Sequence, residues 1–417
     1  MTVDRAVVIV GAGEAGVAAA SAIRESGDHR RIVLISEEPH LPYERPPLSK
    51  EALTDETPAL KTIRPAPWFK EQFIDLRLGW RVQFIDAARR SLVLETGGRA
   101  DELFYDQLLL ATGARVRTLT DAPTGVCYLR THEDSVALRS RLSQAQRLLV
   151  IGGGVIGLEV ASSARHMGKE VVVLDMAPRL MARALAPDVS NVITELHRDG
   201  GVDIRLNAGS IDLRQTPQGM RAILGDGTVY DGDLVAAGIG VIPNTELAAQ
   251  AGCALENGIL VDEAGQTSVP GIYAAGDAAA FPHPVFDRHV RVEAWQHARR
   301  HGAHVGRAMV GTPAPYSEVP WFWTDQHGVN VQVAGLAADC DRTLWRGAGP
   351  ARTAFHFSGN RLVAATTLNN GRDMRPVTNL IAAGWQGDPQ ALLDASTPLG
   401  KLAARLLAEH TAATAAA

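Results

Sequence analysis

The sequence writes one pattern twice. AVVIVGAGEAGVAAASAIRESG stands near the start, and LLVIGGGVIGLEVASSARHMG follows further on. Each is a short apolar run rich in β-branched residues, a glycine-rich turn, and a segment of helical spacing that closes on glycine. The glycines fall at Gly11, Gly13 and Gly16 and again at Gly152, Gly154 and Gly157, a G-x-G-x-x-G spacing both times. After each helix a second apolar strand ends in an acid, Glu37 in RIVLISEE and Asp175 in EVVVLD. In such a unit the first glycine permits a tight turn, the second lets backbone approach a pyrophosphate, and the third lets helix and strand pack closely. The helix N-terminus offers free N–H groups and a positive dipole end, and the terminal acid accepts hydrogen bonds from an adenosine ribose. One such turn is weak evidence. Two, each in full context, predict two dinucleotide sites, with Ala15 belonging to the first turn and Val155 and Ile156 to the second.

The bulk composition narrows the partners. A chain of 417 residues exceeds one ordinary core, so two or three domains are expected. Lys and Arg number 41 against 46 Asp and Glu, a net charge of −5 that argues against a nucleic-acid binder. No apolar run approaches the ~18–20 residues of a membrane span. The start, MTVDRAVVIVGAG, enters a strand at once and leaves no room for a signal peptide. Cys127, Cys253 and Cys340 form neither a CxxC pair nor a metal-ligand spacing. A cytoplasmic protein with no structural disulfide and no metal site is expected.

Three further stretches carry information. TSVPGIYAAGDAAA runs a small-residue strand into Gly276-Asp277, where an Asp at a helix start is often only a cap. LLLATGARV holds Ala111, Thr112 and Gly113, and GIGVIPN holds Gly240. From about Pro315 the chain alternates apolar and polar residues as an antiparallel sheet would, followed by helices such as KLAARLLAEH.

With these pieces in place, the chain resembles the FAD-dependent ferredoxin reductases of bacterial oxygenase systems, which are glutathione-reductase-like flavoproteins. The specific parts of the resemblance are LPYERPPLSK, YLRTHED, RVEAWQHARRHG and VPWFWTDQ. It implies an α/β fold of two Rossmann-like dinucleotide-binding domains plus a C-terminal α+β domain with an antiparallel sheet. The FAD domain would be discontinuous, over 1–115 and 240–315, with the NAD domain 116–239 inserted. The C-terminal domain would span 316–410, and 411–417 would be a disordered tail.

The resemblance also assigns roles. Gly11, Gly13, Ala15, Gly16, Glu37, Lys50, Val82, Ala111, Thr112, Gly113, Arg130, Gly276, Asp277, Glu293 and Trp295 would hold FAD, with Asp277 on its ribityl chain. Gly152, Gly154, Val155, Ile156, Gly157, Asp175, Arg183 and Gly240 would hold the nicotinamide coenzyme. Lys50 and Glu159 would form an ion pair beside the hydride-accepting ring, where an ammonium favours developing negative charge. Blander roles stand beside these: Glu159 on the first turn of its helix could serve the helix dipole, Lys50 and Arg130 could be surface residues, and Val82 and Trp295 could be core.

Asp175 welcomes a ribose 2′-OH and repels a 2′-phosphate, and Met176-Ala177-Pro178 supply no cation, so NADH is expected over NADPH. The implied activity takes a hydride from NADH onto FAD and passes electrons singly to an acidic two-iron two-sulfur ferredoxin. That ferredoxin would serve a Rieske dioxygenase or a haem-thiolate monooxygenase. The protein would be a monomer or weak homodimer. Trp321 and Trp323 should share a strand face, as packing or as the ferredoxin approach, with Arg64, Arg299 and Arg300 as candidate docking cations.

Three other readings compete. A rubredoxin reductase would use the same chemistry. A flavin disulfide reductase or peroxidase needs a redox cysteine after the first ribose acid, and the first cysteine in the chain is Cys127. An apoptosis-inducing-factor-like, NADH-responsive flavoprotein would use its nucleotide sites chiefly to switch association.

Overall fold

The computed structural model describes residues 5–416. The chain divides into two compact units, Met1–Arg45, Leu60–Arg115 and Val241–Glu318 in one, and Pro46–Ala59, Val116–Gly240 and Val319–Ala417 in the other.

The first unit begins with the first fingerprint. Strand β1 (Arg5–Val10), helix α1 (Glu14–Glu25) and strand β2 (Ile32–Ser36) form the unit that the sequence predicts. Strand β3 (Ile74–Leu78) extends the sheet on the β2 side, and β4 (Arg81–Asp86) and β5 (Ser91–Thr96) form an antiparallel meander. The long strand β6 (Arg99–Leu110) joins the two parts. Its first half pairs antiparallel with β5, while its second half, from Phe104 to Leu110, pairs in parallel with β1.

The second unit holds the second fingerprint. Helix α2 (His132–Gln144) precedes strand β7 (Arg147–Ile151), helix α3 (Val155–His166) and strand β8 (Glu170–Leu174). Helix α4 (Pro187–Asp199), strand β9 (Val202–Arg205) and strand β10 (Leu234–Ala237) complete a parallel sheet in the order β9-β8-β7-β10. The inner strands β8, β7 and β10 are largely continuous apolar runs because both faces of a parallel sheet are covered, while the edge strand β9 alternates apolar and charged residues.

The chain then returns to the first unit with β11 (Ile272–Ala274), which pairs in parallel with the end of β6, and helix α5 (Trp295–Met309). The second unit resumes as a five-stranded antiparallel sheet of β12 (Trp321–Gln326), β13 (Val329–Gly335), β14 (Arg342–Arg346), β15 (Arg352–Ser358) and β16 (Arg361–Leu368). Its order is β12-β13-β16-β15-β14. Helices α6 (Met374–Ala382) and α7 (Leu399–Ala416) follow. The alanine-rich stretch expected as a disordered tail instead continues α7 to Ala416, in keeping with alanine's helix propensity, and Ala417 lies outside the described residues.

Helices α1 and α5 meet backbone to backbone. A Cβ on Gly302 would lie 2.2 Å from the carbonyl oxygen of Ala15, and one on Gly306 would lie 2.6 Å from that of Ala19. The contact therefore needs glycine at both positions. Gly302→Ala should force the helices apart and lower stability by about 1–3 kcal/mol, as overpacking does elsewhere; denaturant unfolding measures the loss.

Candidate functional site

In the first unit the fingerprint turn is shaped by close approaches. Gly11 has φ +106°, and a Cβ there would lie 2.1 Å from the carbonyl oxygen of Ala111. A Cβ on Gly16 would lie 1.9 Å from the carbonyl oxygen of Gly11. Around Gly13, by contrast, an added Cβ meets nothing within 4 Å, and no side chain caps α1. An uncapped helix start facing open space, over a turn that only glycine can make, fits the diphosphate of a dinucleotide.

Other predicted residues of the first unit are held by local contacts. Glu37 follows the last residue of β2 as an exposed carboxylate, 3.0 Å from Arg81 Nε. Val82, next to that arginine, is buried. Thr112 Oγ1 donates to the Asn244 carbonyl at 2.7 Å, and Asn244 Nδ2 donates to the Thr112 carbonyl at 2.9 Å. The Asn244 amide also donates to the Gly113 carbonyl at 3.0 Å, so Asn244 fixes the Ala111–Gly113 turn.

Arg291 joins Asp277 to Glu293: its Nη2 lies 2.7 Å from Glu293 and its Nη1 donates to the Asp277 carbonyl at 3.1 Å. The Gly276 amide donates to Nδ1 of the buried His301 at 3.3 Å, which requires that nitrogen to be unprotonated. Burial pulls His301 well below its ordinary range and keeps it so. Asn244 ends GIGVIPN, and Arg291 and His301 lie in RVEAWQHARRHG, but their roles emerge only from their spatial neighbours. Arg299 stacks over the ring of Trp295, 5.6 Å from its centroid.

Glu14, the first residue of α1, is pushed up to about 7 from an ordinary 4.5. Desolvation is the main cause, against the opposing pull of Arg299, 3.9 Å away. Its Oε2 is buried without a hydrogen-bond partner.

The loop LPYERPPLSK divides between the units. In the first, Tyr43 and Arg45 fold onto Glu38, with Arg45 Nη2 2.7 Å from Glu38 Oε1. In the second, Pro46–Ser49 form one 3₁₀ turn, and Lys50 caps a short helix over Glu51–Thr54. Ser135 of α2 donates to the Leu48 carbonyl at 2.8 Å, and Ser163 of α3 donates to the Ser49 carbonyl at 2.7 Å.

These anchors bring Lys50 to Glu159. Lys50 Nζ lies 2.9 Å from Glu159 Oε1, and the carboxylate is 3% exposed. Ser49 Oγ donates to Oε2, and Thr324 Oγ1 donates to Oε1 at 2.6 Å. Glu159 lies on the second turn of α3, so it is not an acid placed for the helix dipole. Arg130, expected at FAD with Lys50, also lies in the second unit, just before the α2 capping box of Thr131 and Asp134.

The second fingerprint repeats the construction of the first. Gly152 has φ +102°, and a Cβ on it would lie 2.6 Å from the carbonyl oxygen of Gly238. A Cβ on Gly157 would lie 2.1 Å from the carbonyl oxygen of Gly152. Gly154 begins α3 with no side-chain cap, and Val155 and Ile156 open the helix, Ile156 with its side chain exposed. Asp175 accepts from the Gly153 amide at 2.8 Å and from the Ala177 amide at 2.9 Å, which leaves lone pairs for a ribose hydroxyl. The Arg183 guanidinium lies beside Gly240, whose added Cβ would be 3.1 Å from it. Arg179 is spent on its own loop, donating to the Leu185 carbonyl at 2.5 Å, the Ala182 carbonyl at 2.7 Å and Ser190 Oγ at 3.0 Å.

Trp321 and Trp323 stack along one face of β12, with centroids 5.5 Å apart and planes at 25°. The three candidate docking cations all have neighbours within the first unit: Glu14 for Arg299, Glu318 for Arg300, and the Trp68 ring 5.3 Å from Arg64. All three cysteines are free thiols, Cys127 and Cys253 buried. Among the described residues no helix is long and apolar enough to cross a membrane, and no group of three or more His, Cys, Asp or Glu could hold a metal ion.

Two glycine turns on two parallel sheets, with a small antiparallel sheet after them, define a flavoprotein oxidoreductase of the two-dinucleotide class. The pyridine nucleotide-disulphide oxidoreductase family model matches residues 5–302, and the reductase C-terminal model matches 321–403. The ferredoxin–NAD(+) reductase component of the anthranilate 1,2-dioxygenase system of Burkholderia cepacia is 41% identical over 407 residues, 94% of this chain and 98% of its own. The crystal structure of the ferredoxin reductase for the CYP199A2 system of Rhodopseudomonas palustris superposes with a TM-score of 0.91 at 37% identity, covering 95% of this chain and 99% of that one. A covalent putidaredoxin reductase–putidaredoxin complex gives the same TM-score and identity, covering 97% and 99%. The chain belongs to the pyridine nucleotide-disulphide oxidoreductase family, among its ferredoxin reductases, and uses FAD and NAD(H).

A carboxyl that holds its proton to about pH 7 in the folded protein, against 4.5 ordinarily, costs stability as pH rises between those values, and the cost is complete above them. Glu14→Gln should therefore melt higher than the parent at pH 8, with the gap closing by pH 5. Thermal unfolding of the holoprotein across that range checks the sign.

Proposed function

We propose that this chain is a cytoplasmic NADH:ferredoxin reductase in which the buried Lys50–Glu159 pair serves the reacting ring. That pair, built on the nicotinamide-fingerprint helix, is the observation that carries the reading. Bound FAD supplies the conversion of a two-electron hydride transfer into single-electron steps. The residues of the chain bind, orient and tune charge.

The Gly11–Gly16 turn and α1 hold the flavin dinucleotide, with Glu37 on its ribose and Asp277 on its ribityl chain. The Gly152–Gly157 turn and α3 hold NADH. Asp175 accepts from the ribose 2′-OH, and its charge opposes a 2′-phosphate. Arg179 supports this preference, since its donors are already used within its own loop. Lys50 presents an ammonium where negative charge develops, and Glu159 holds it there. A preorganised charge in a site shielded from water stabilises such charge without reorganisation. Arg130, Glu293 and Trp295 line the flavin.

The acceptor is an acidic two-iron two-sulfur ferredoxin of an oxygenase system, approached over Trp321 and Trp323. The relatives named as ferredoxin reductases support this choice, as does a chain with no cysteine before Cys127.

Three measurements test the reading. kcat/KM for NADH should exceed that for NADPH, and Asp175→Asn should narrow the ratio about tenfold, the scale of one charged hydrogen bond; a parent ratio below one overturns the coenzyme assignment. Lys50→Met should slow single-turnover flavin reduction by NADH at least tenfold, and an unchanged rate removes Lys50 from the mechanism. KM for an acidic two-iron ferredoxin should rise with ionic strength as screening weakens the encounter, and a salt-independent KM counts against an acidic partner.

A further inference from the structure

Glu159 ends a hydrogen-bonded chain whose other members have no part in the reaction as described so far. Thr324 Oγ1 donates to Glu159 Oε1 at 2.6 Å. Gln326 Nε2 stands 3.0 Å from Thr324 Oγ1, and Gln326 Oε1 stands 2.8 Å from His197 Nε2. His197 Nδ1 stands 3.1 Å from His327 Nε2. The His327 backbone amide in turn donates to Ser162 Oγ of α3 at 2.8 Å. Thr324, Gln326 and His197 are fully buried, while His327 is partly exposed.

One carboxylate sets the direction of every link. Paired with an ammonium, Glu159 has no proton to give, so the Thr324 hydroxyl hydrogen must point at it. The group that Gln326 turns to Thr324 must then be its NH₂, and its oxygen faces His197. His197 therefore carries its hydrogen on Nε2. Burial lowers His197 to about 4, so at neutral pH its Nδ1 is bare and must accept from His327. All the donors point towards Glu159.

The surroundings are built for the far end of this chain. Gly200, which closes α4, has φ −71°, a value any residue can adopt. A Cβ on it would fall 2.5 Å from the His327 ring, so the glycine is there for room. His327 itself sits at φ +48° in the β12–β13 hairpin, before Gly328 at +74°. A non-glycine residue in the left-handed region is held there by its contacts. Its ring meets that of His197 edge-on, with centroids 4.5 Å apart.

We propose that Gln326 and His197 are positioning residues for Glu159: through Thr324 they hold its carboxylate in the orientation that keeps Lys50 paired, and its charge fixes the tautomer of His197. The proposal rests on the reading of Lys50–Glu159 given above. It adds a second layer of buried donors, drawn from α4 and β12, behind that pair.

Long-range ¹H–¹⁵N spectra of the holoprotein should show His197 as the Nε2–H tautomer. Glu159→Gln, whose amide can donate to Thr324 and so reverse the chain, should shift it towards Nδ1–H. His197→Leu should slow single-turnover flavin reduction by NADH about fivefold, the scale of coupling within one buried network. His197→Gln, whose amide nitrogen can donate to Gln326, should recover most of that rate. A structural role alone would lower the melting temperature of both variants and leave both rates at the parent value. That result overturns the proposal, as does an Nδ1–H tautomer in the parent protein.

If His197→Leu does not fold, the parent tautomer still decides the matter, and Gln326→Leu repeats the rate measurement. Parent-like rates in Lys50→Met and Glu159→Gln would sink the reading of the pair and this proposal with it. A slow Lys50→Met beside a fast His197→Leu sinks the proposal alone.

Discussion

The second unit depends on one buried charge. An unpaired carboxylate inside a protein is far costlier than a buried apolar group, so Glu159 must have its partners supplied. They come from stretches that are distant in the chain: Lys50 and Ser49 from the proline-rich loop, Thr324 from the first strand of the antiparallel sheet. Meeting that demand draws the Pro46–Ala59 segment and the C-terminal sheet into the same compact unit as the second fingerprint. Ser135 and Ser163 reinforce the arrangement by holding the backbone of the loop from two helices. The prolines lower the conformational freedom lost when that loop is held.

In the first unit the governing constraint is space. Backbone passes so near backbone at Gly11, Gly16, Gly302 and Gly306 that a single Cβ would overlap a carbonyl oxygen. Gly11 and Gly16 let α1 start against the turn, and Gly302 and Gly306 let α5 lie along α1. The start of α1 is left uncapped and open at Gly13, and that combination of crowding behind and room in front makes the turn a receptor for a diphosphate. Polar residues around it spend their hydrogen bonds on holding backbone: Asn244 on the Thr112 turn, Arg291 on Asp277, His301 on Gly276.

Charge is handled differently in the two places. Glu14 meets incomplete compensation and keeps its proton to near neutrality, whereas Glu159 receives an ammonium and two hydroxyl donors. An acid at the front of α1 and an acid inside α3 thus look alike in sequence but meet different partners. Arg179 makes a similar point for cations, because its own loop takes up its donors.

The two βαβ units, the acids Glu37 and Asp175 at the strand tips, and the late antiparallel sheet were all legible in the sequence. Each follows from short-range rules: glycine spacing, apolar periodicity and strand length act within about twenty residues. Asn244, Arg291, His301 and Gln326 lie in stretches that the sequence marks, but their individual roles were not legible, and His197 lies in no marked stretch at all. The partners that define those roles lie 14 to 132 residues away for Arg291, His301, His197 and Asn244, so no local pattern assigns them. The sequence alone determined which backbone turns can receive a dinucleotide, because only glycine permits them. The tertiary structure alone decided which side chains share a buried carboxylate, because that demand is met by whatever donors folding brings within about 3 Å.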